Sequence, residues 1–258
     1  MNGRYWKIAW VCGALGVACQ SAPAIAPVEM LAPTFVAMLS VEVAPPPPTA
    51  AERQQSASLR LRGLEARQAG DFTAAIAAMR AAVALDPTQQ SGRVLLGWTL
   101  HLDGRTMEAV EVLTAARDRD SKDVPTLNAL GIAYLVSGDL DRAIATHSEA
   151  IALAPENEIA HYNLSLAFQR QTQFEQAITH AERAIALEPS NPHPLVALAI
   201  AQWSRGDVEA ARQTYRRAIA LDGRYRHRGY LIHLERAGFS ARQIQTATHV
   251  LQSIATSS

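Results

Sequence analysis

The chain has little cysteine and little lysine, and each scarcity excludes a class of function. Its two cysteines, Cys12 and Cys19, both lie in the first 26 residues, so a chain cut after Ala26 would contain no thiol for a disulfide or for catalysis. Lys7 and Lys122 are its only lysines, so arginine carries nearly all of the positive charge. The 24 basic and 24 acidic residues balance, which gives no overall attraction to nucleic acid or to an anionic membrane.

Sequence motifs of catalysis are also missing. The chain has no glycine-rich phosphate loop, no HExxH, no CxxC pair and no GxSxG, and its eight histidines are scattered. We therefore predict that the protein is not an enzyme and has no cofactor and no metal site. His147 is predicted to be a packing residue rather than a ligand.

No hydrophobic run is as long as the roughly 20 residues that a membrane span needs. The longest run near the amino terminus, Ile8 to Cys19, is about a dozen residues, follows Arg4 and Lys7, and precedes the small residues Ala24 to Ala26. This pattern is typical of a signal peptide. We expect export to the periplasm or to a membrane-associated position, with three fates left open for the segment: cleavage, retention as an anchor, or lipidation at Cys19.

Small residues recur along the rest of the chain with a period of 34. Alanine occupies one such series at positions 75, 109, 143, 177 and 211, and a second at 82, 116, 150, 184 and 218. A period of 20 to 50 residues is the signature of a solenoid, in which each unit packs only on its neighbours. Function is then expected on a surface rather than in a catalytic pocket.

Each repeat contains two apolar-periodic stretches separated by a turn, which predicts a helical hairpin. Glycine followed by aspartate marks the turn at positions 70–71, 138–139 and 206–207. Glycine can end the first helix in the left-handed conformation, and the aspartate can cap the second. Between units, proline stops the second helix at positions 87, 155 and 189, and Asn191 with Pro192 begins the next helix.

These patterns divide the chain into four parts. Residues 1–26 are predicted to be a signal peptide or amino-terminal anchor, and residues 27–55, with the run Pro45 to Pro48, a proline-rich linker. Residues 56–225 hold five units, and residues 226–258 are predicted to form capping helices over the open side of the last unit. The five units are 56–89, 90–123, 124–157, 158–191 and 192–225.

The repeat resembles the tetratricopeptide repeat, whose pattern has a small residue at position 8, a large residue at 11, alanine at 20 and 27, and proline at 32. Position 8 is Gly63, Gly97, Gly131, Ser165 and Ala199 in successive units. The resemblance covers about two thirds of the chain, and with the predicted signal peptide it implies a bacterial repeat protein of the exported or envelope type. It implies an all-α, right-handed superhelical solenoid of five helical hairpins with capping helices at its carboxyl end.

The resemblance also implies a concave groove that binds a protein or peptide segment, lined by the first helix of each hairpin. Aromatic, arginine and amide side chains occupy the positions that would line it, and these are the types that make binding hot spots. The candidate groove residues are Arg60, Arg67, Trp98, His101, Asn128, Tyr162, Asn163, Gln169, Arg170, His193 and Trp203. The subclass that clamps chaperone tails is not expected, because its lysines are missing.

A second candidate surface is a cluster of arginines near the carboxyl end. It consists of Arg212, Arg216, Arg217, Arg224, Arg226 and Arg228. Such a basic patch either contacts acidic partners or forms a solvated helix face with local salt bridges.

We therefore expect a non-catalytic scaffold for protein–protein interactions that helps to assemble an envelope or membrane complex. The alternative is a regulatory or substrate-docking subunit of an enzyme encoded elsewhere. Nucleic acid is not an expected partner, and contact with a membrane is expected only through an amino-terminal segment that is retained or lipidated.

Overall fold

The computed structural model describes residues 46–255, which form helices joined by short turns, with no β-strand among them. The predicted signal or anchor segment and residues 27–45 of the predicted linker lie outside the described residues. The α-helices are α1 Ala50–Gln68, α2 Phe72–Leu85, α3 Gln90–Leu102, α4 Thr106–Arg119, α5 Val124–Ser137, α6 Leu140–Leu153, α7 Glu158–Arg170, α8 Phe174–Leu187, α9 Pro192–Arg205, α10 Val208–Leu221 and α11 Ala241–Ala255. Two 3₁₀ segments, Gly223–Arg226 and Arg228–Ala237, lie between α10 and α11.

Helix α1 begins at Ala50, within the residues assigned to the linker, so that assignment is too long at its carboxyl end. A capping box explains the early start. The Thr49 hydroxyl accepts a hydrogen bond from the Glu52 backbone N–H, and the Glu52 carboxylate accepts one from the Thr49 backbone N–H at 2.7 Å. Two of the backbone donors that a helix leaves unpaired at its start are thereby satisfied.

Ten of the helices form five antiparallel hairpins that stack in chain order, and this confirms the predicted all-α superhelical solenoid. The second helix of each hairpin packs on the first helix of the next. First helices of successive hairpins (α1, α3, α5, α7 and α9) also contact one another, whereas second helices make no comparable contacts among the described residues. The first helices therefore lie on the inner, concave side of the stack.

Both alanine series are completely buried in every hairpin, as the repeat pattern predicts. They lie on the second helices, where a larger side chain would separate the two helices of a hairpin or two neighbouring hairpins. Position 8 of the repeat, on the first helix, lies close to position 24, on the second helix, in the first three units. A Cβ at Gly131 would lie 2.5 Å from Nε2 of His147, and one at Gly63 would lie 2.8 Å from Cγ of Met79. At Gly131 and Gly63 a larger residue would therefore force the facing side chain to move.

The turn inside each hairpin requires a left-handed residue. Gly70, Gly104, Gly138 and Gly206 have positive φ angles, and Thr172 takes the same place in the fourth unit with a φ of 61°. The left-handed region is strained for a β-branched residue, so the fourth turn is the least favourable of the five.

Aspartate caps the second helix in some units, as expected. Asp71 accepts from the backbone N–H of Ala74 at 2.9 Å, and Asp139 accepts from that of Arg142 at 3.3 Å. Asp207 does not cap α10, because its carboxylate is bound by Arg205 instead.

Capping helices were predicted for residues 226–258. In that range the chain forms the second 3₁₀ segment, Arg228–Ala237, and then α11. Helix α11 packs on both helices of the last hairpin, α9 and α10, and so caps the stack. The residues before α11 instead lie on the concave face.

Within residues 46–255, none of the helices combines the length and the apolar character needed to cross a bilayer.

Candidate functional site

The concave face has two parts that differ in what covers them. We call the inner faces of α1, α3 and α5 the open half of the groove, and those of α7 and α9 the closed half. Residues 223–240, which we call the groove insert, lie over the closed half and connect α10 to α11.

The tip of the groove insert is held by α7. The hydroxyl of Tyr162 donates a hydrogen bond of 2.6 Å to the backbone carbonyl of Ala237, and the rings of Tyr162 and Phe239 lie 6.1 Å apart. Phe239 is only 4% exposed. A Cβ at Gly238 would lie 3.5 to 3.7 Å from side-chain atoms of Leu135, Leu166 and Asn163, so the tip contacts both α5 and α7. Burial in this contact raises the pKa of Tyr162 well above its ordinary value, and the phenol stays a hydrogen-bond donor.

Apolar residues spaced by three lie along the 3₁₀-helical body of the groove insert. Leu231, Leu234 and Ala237 recur at this interval, and a helix of three residues per turn places them on one face. Leu231 and Leu234 are each 1% exposed and join the main hydrophobic core, whereas Ile232 between them is 55% exposed. The insert therefore contributes a single row of apolar side chains.

Both ends of the groove insert are also anchored. The ring of Tyr225 meets that of His193 edge to face at 6.2 Å, and its carbonyl accepts a hydrogen bond of 3.2 Å from the Tyr215 hydroxyl. At the other end, the buried Gln243 side chain donates to the Leu166 carbonyl at 3.1 Å and accepts from the backbone N–H of Ser240 at 2.9 Å. Ser240 caps α11, because its hydroxyl accepts from the Gln243 backbone N–H at 3.3 Å.

Five of the predicted groove residues on the closed half thus bind the protein itself. Tyr162 donates to the insert, and Asn163 donates to the Ile159 carbonyl at 2.8 Å. Gln169 donates to the Ser204 hydroxyl of the next unit at 3.1 Å. Arg170 donates to the Leu135 carbonyl at 2.6 Å, where it caps the carboxyl end of α5. His193 lies 3.1 Å from Oδ1 of Asn191, the amino-terminal cap of α9.

Trp203, the last predicted residue of this half, lies partly buried beside the insert. Together with Arg242 and Gln243 of α11 it lines a cavity of about 500 Å³.

The open half presents apolar side chains to solvent. Leu61 on α1 is 59% exposed and Leu102 on α3 is 40% exposed, and Trp98, also on α3, is partly buried. The rings of Trp98 and His101 are 5.1 Å apart and tilted by 34°. An exposed row of apolar side chains on a concave surface is typical of a binding site.

Polar groups on the open half lack partners. Nη1 of Arg67 and Nδ1 of His101 are both buried and make no hydrogen bond with any described residue. Burial lowers the pKa of His101, so its ring is neutral near pH 7. Arg60 is better satisfied, because it donates to the Ser56 hydroxyl at 3.3 Å. A buried donor without an acceptor is costly and becomes favourable when a ligand supplies the acceptor.

Asn128 has a structural role that the sequence did not indicate. Its side-chain amide exchanges two hydrogen bonds with that of Asn157, at 2.8 and 3.3 Å. Asn157 also caps α7. This amide pair ties the first helix of the third unit to that of the fourth.

A cavity of about 390 Å³ marks the border between the two halves. Trp98, Ile132 and Ile159 line it from the repeats, and His233 and Arg236 line it from the groove insert. Ile132 and Ile159 were not among the predicted residues, although their positions in the repeat correspond to those of predicted neighbours.

The carboxylate of Glu158 also lines this cavity. Burial and the charge of Glu188 raise its pKa, and its oxygen accepts a hydrogen bond of 3.3 Å from Asn191.

The predicted arginine cluster does not form one continuous free patch. Arg212 and Arg216 both pair with Glu209, at 3.4 and 3.8 Å. Arg224 pairs with Asp222 at 2.7 Å and lies over the Tyr230 ring. Three of the six predicted arginines thus have acidic partners nearby. The remaining residues of the cluster, Arg217, Arg226 and Arg228, are exposed.

Solved structures similar to this fold include three bacterial repeat proteins. MamA from Desulfovibrio magneticus RS-1, from residue 41 to its end, gives a TM-score of 0.58 at 18% identity over 65% of this chain and 95% of that one. A thermophilic TPR protein of Thermus thermophilus gives 0.57 at 21% identity, over 65% and 92% of the two chains. A tetratricopeptide repeat protein from Parabacteroides merdae gives 0.56 at 18%, over 77% and 80%. At these identities the likeness shows the fold alone.

None of the curated protein sequences matches this chain. A family profile described as "Tetratricopeptide repeat" does match, over residues 60–124, 128–192 and 162–225, which together make up more than half of the chain. This match and the stacked hairpins agree on one conclusion: the chain belongs to the tetratricopeptide repeat family.

Proposed function

We propose that this protein is a scaffold that binds a segment of a partner protein in the open half of its groove. Tetratricopeptide repeat proteins generally mediate protein–protein interactions and are typically non-catalytic. The observation that carries the proposal is the open half itself, where exposed apolar side chains and unpaired polar atoms line a concave surface.

The chemistry of the open half favours a partner segment that combines apolar side chains with a carboxylate. Arg60 and Arg67 lie on α1, and none of the residues at the groove positions of α1, α3 and α5 is acidic. A carboxylate would give the buried Nη1 of Arg67 a charged acceptor, and such hydrogen bonds are stronger than neutral ones. Leu61, Trp98 and Leu102 would bury apolar side chains of the same segment.

We further propose that the scaffold acts in an envelope or membrane complex outside the cytoplasm. The support is the order of Arg4 and Lys7, the apolar run that follows them, and the small residues at 24–26. Cell fractionation with determination of the mature amino terminus tests this part separately. A full-length chain in the cytoplasmic fraction would contradict it.

Selection of peptides against the whole protein tests the groove. A random peptide library is selected on the native chain, and the bound peptides are then measured on Trp98→Ala and Met107→Ala variants. Trp98 lies in the open half, and Met107 on α4 is 68% exposed and outside the groove, so it is the matched control. We expect enriched peptides to carry acidic and apolar residues, and Trp98→Ala to weaken them at least about tenfold.

The result that would contradict the proposal is equal binding by both variants, because the peptides would then occupy another surface. Capture of a natural partner with the same two variants distinguishes a scaffold from a docking subunit of an enzyme. A single tight partner with a catalytic domain would favour the role of a docking subunit.

A further inference from the structure

The groove insert occupies the position in which tetratricopeptide repeats would bind an external segment. It crosses the inner faces of α9 and α7 and reaches Leu135 on α5. Its contacts resemble those of a bound peptide: a backbone carbonyl accepts from Tyr162, the Phe239 side chain is buried beside Tyr162, and Leu231 and Leu234 are buried in the main hydrophobic core. We propose that the groove insert is an intramolecular ligand, which a partner segment must displace to use the closed half.

The covalent connections of the insert allow displacement without unfolding of the repeats. The insert is bounded by Asp222 at the end of α10 and by the α11 cap at Ser240, and α11 has its own contacts with α9 and α10. Helix α11 also packs on the second 3₁₀ segment of the insert, and departure of the 18-residue insert would break that contact. The contacts of α11 with α9 and α10 would still hold it in place as the cap.

Local features also make the insert easier to open than the helices beneath it. Its ten-residue 3₁₀ segment is longer than such helices usually are, and the hydrogen bonds of 3₁₀ helices are less well aligned than those of α-helices. Most of its residues between Gly223 and Arg236 are exposed. Segments with few buried contacts open before the rest of a protein does.

The border cavity gives a partner a place to begin displacement. His233 and Arg236 of the insert form one wall, and Trp98 of the open half forms another. A segment bound in the open half would therefore reach the edge of the insert directly. This inference rests on the proposed function, because it identifies the second part of the same partner site and the segment that regulates it.

A peptide of the insert itself is the probe that tests the inference. A labelled synthetic peptide of residues 223–243 is titrated against the full chain and against Phe239→Ala, Leu234→Ala and Ile232→Ala variants. The first two variants each remove one anchor of the resident insert, and Ile232 is an exposed insert residue that serves as control. We expect the peptide to bind Phe239→Ala and Leu234→Ala at least about tenfold more tightly than the native chain, and Ile232→Ala like the native chain.

A second measurement decides whether the site is the groove. In a Tyr162→Phe/Phe239→Ala double variant the peptide should bind more weakly than in Phe239→Ala, because the hydroxyl that holds the Ala237 carbonyl is gone. Hydrogen exchange on the native chain should also show faster exchange at residues 228–240 than in α9.

Two results would overturn the inference. One is peptide binding that is equal in the native chain and in both anchor variants, with the repeats still helical. The other is hydrogen exchange that is equally slow in the insert and in α9, because the insert would then be a fixed part of the fold. Neither result depends on an external partner, so the proposed function would stand or fall on the Trp98→Ala comparison alone.

Discussion

The two halves of the groove are built from the same repeat and yet differ in what covers them. In the open half, Leu61 and Leu102 face solvent, and polar atoms of Arg67 and His101 lack partners among the described residues. At position 9 of the repeat, Leu64 and Trp98 of the open half are only partly buried, whereas Leu166 and Ile200 of the closed half are almost completely buried. Tyr162 of the closed half also binds the chain's own backbone. The repeat thus supplies a uniform framework, and a non-repeating segment decides which part of it is available.

The halves also differ in how successive units are connected. In the units that carry the open half, Arg80 on α2 of the first unit pairs with Glu108 on α4 of the second at 2.6 Å on the surface. In the closed half, buried contacts of the groove insert join α7 and α9. Surface ion pairs add little stability, whereas buried apolar side chains add much more, so the open half is expected to be the weaker end of the stack.

The largest effect should follow from the same substitution made once in each half. Ala177 and Ala109 occupy the same repeat position and are both completely buried. We expect Ala177→Leu and Ala109→Leu each to destabilise by about 1 to 3 kcal/mol, since the packed helices must move apart. Thermal unfolding measures the loss, and hydrogen exchange locates it.

Because each unit packs only on its neighbours, the two variants should differ in where protection is lost. Ala177→Leu should expose the groove insert together with α7 and α8. Ala109→Leu should leave the insert protected. Equal loss of protection throughout the chain in both variants would show that the halves unfold together.

The next effect is a pH dependence in the third unit, at the border of the halves. His147 is completely buried without a hydrogen bond to either ring nitrogen, and burial lowers its pKa from its ordinary value of 6.5 to about 3. Between these values the unfolded chain binds a proton that the folded chain does not. Stability is therefore greatest above about pH 6.5 and falls as the pH decreases, by about 2 kcal/mol at about pH 5.

His147→Leu should remove this contribution, because leucine binds no proton. The variant would place leucine against Gly131, as Leu113 lies against Gly97 in the second unit. The melting temperatures of both proteins at about pH 7 and pH 5 provide the check. His180, whose pKa burial and the neighbouring His161 lower to about 4, remains in both proteins and cancels in the comparison. If the melting temperature of the native chain falls no more between about pH 7 and about pH 5 than that of the variant, His147 is not the source of the pH dependence.

A smaller effect, of opposite sign, is expected at the strained turn of the closed half. Thr172 has a φ of 61° and is exposed, whereas Gly70 occupies the same turn in the open half. Thr172→Gly should stabilise by about 1 kcal/mol, because glycine takes the left-handed conformation without strain. Gly70→Thr is the reciprocal control and should destabilise the chain, since nothing packs near that position to compensate. Chemical denaturation of both variants measures the two changes.

The smallest effect should come from the surface ion pairs of the units that carry the open half. Glu108 accepts from Arg80 and Arg105, and all three side chains are exposed to solvent by a third or more. Glu108→Gln should lower the melting temperature only slightly, and the difference should vanish at high salt because exposed charges are screened. A large loss that persists at high salt would mean that these pairs, rather than packing, hold the first two units together.

Most of the repeat framework was predictable because its causes are local. The buried alanines, the asparagine cap at Asn191 and the glycine turns all act within one hairpin, so each leaves a pattern in adjacent residues. The exact start of α1 was missed, although Thr49 and Glu52 carry a capping-box pattern that could have revealed it.

The availability of the predicted groove residues was much harder to predict. Trp98 and His101 lie in the open half, whereas Tyr162 binds the insert and Asn128 pairs with Asn157. Side chains at equivalent repeat positions look alike in the sequence whether or not another segment covers them. The spacing of Leu231, Leu234 and Ala237 could have indicated a helical segment with one buried face, but it does not distinguish a 3₁₀ helix from an α-helix.

The sequence by itself determined the hairpins, their number and their order. The reason is that side chains repeated every 34 residues contact one another within one hairpin or between successive hairpins. Only the tertiary structure decided which part of the groove is free. That depends on the bond between Tyr162 and Ala237, which are 75 residues apart, and on a segment outside the repeat whose path is set by the surface it covers.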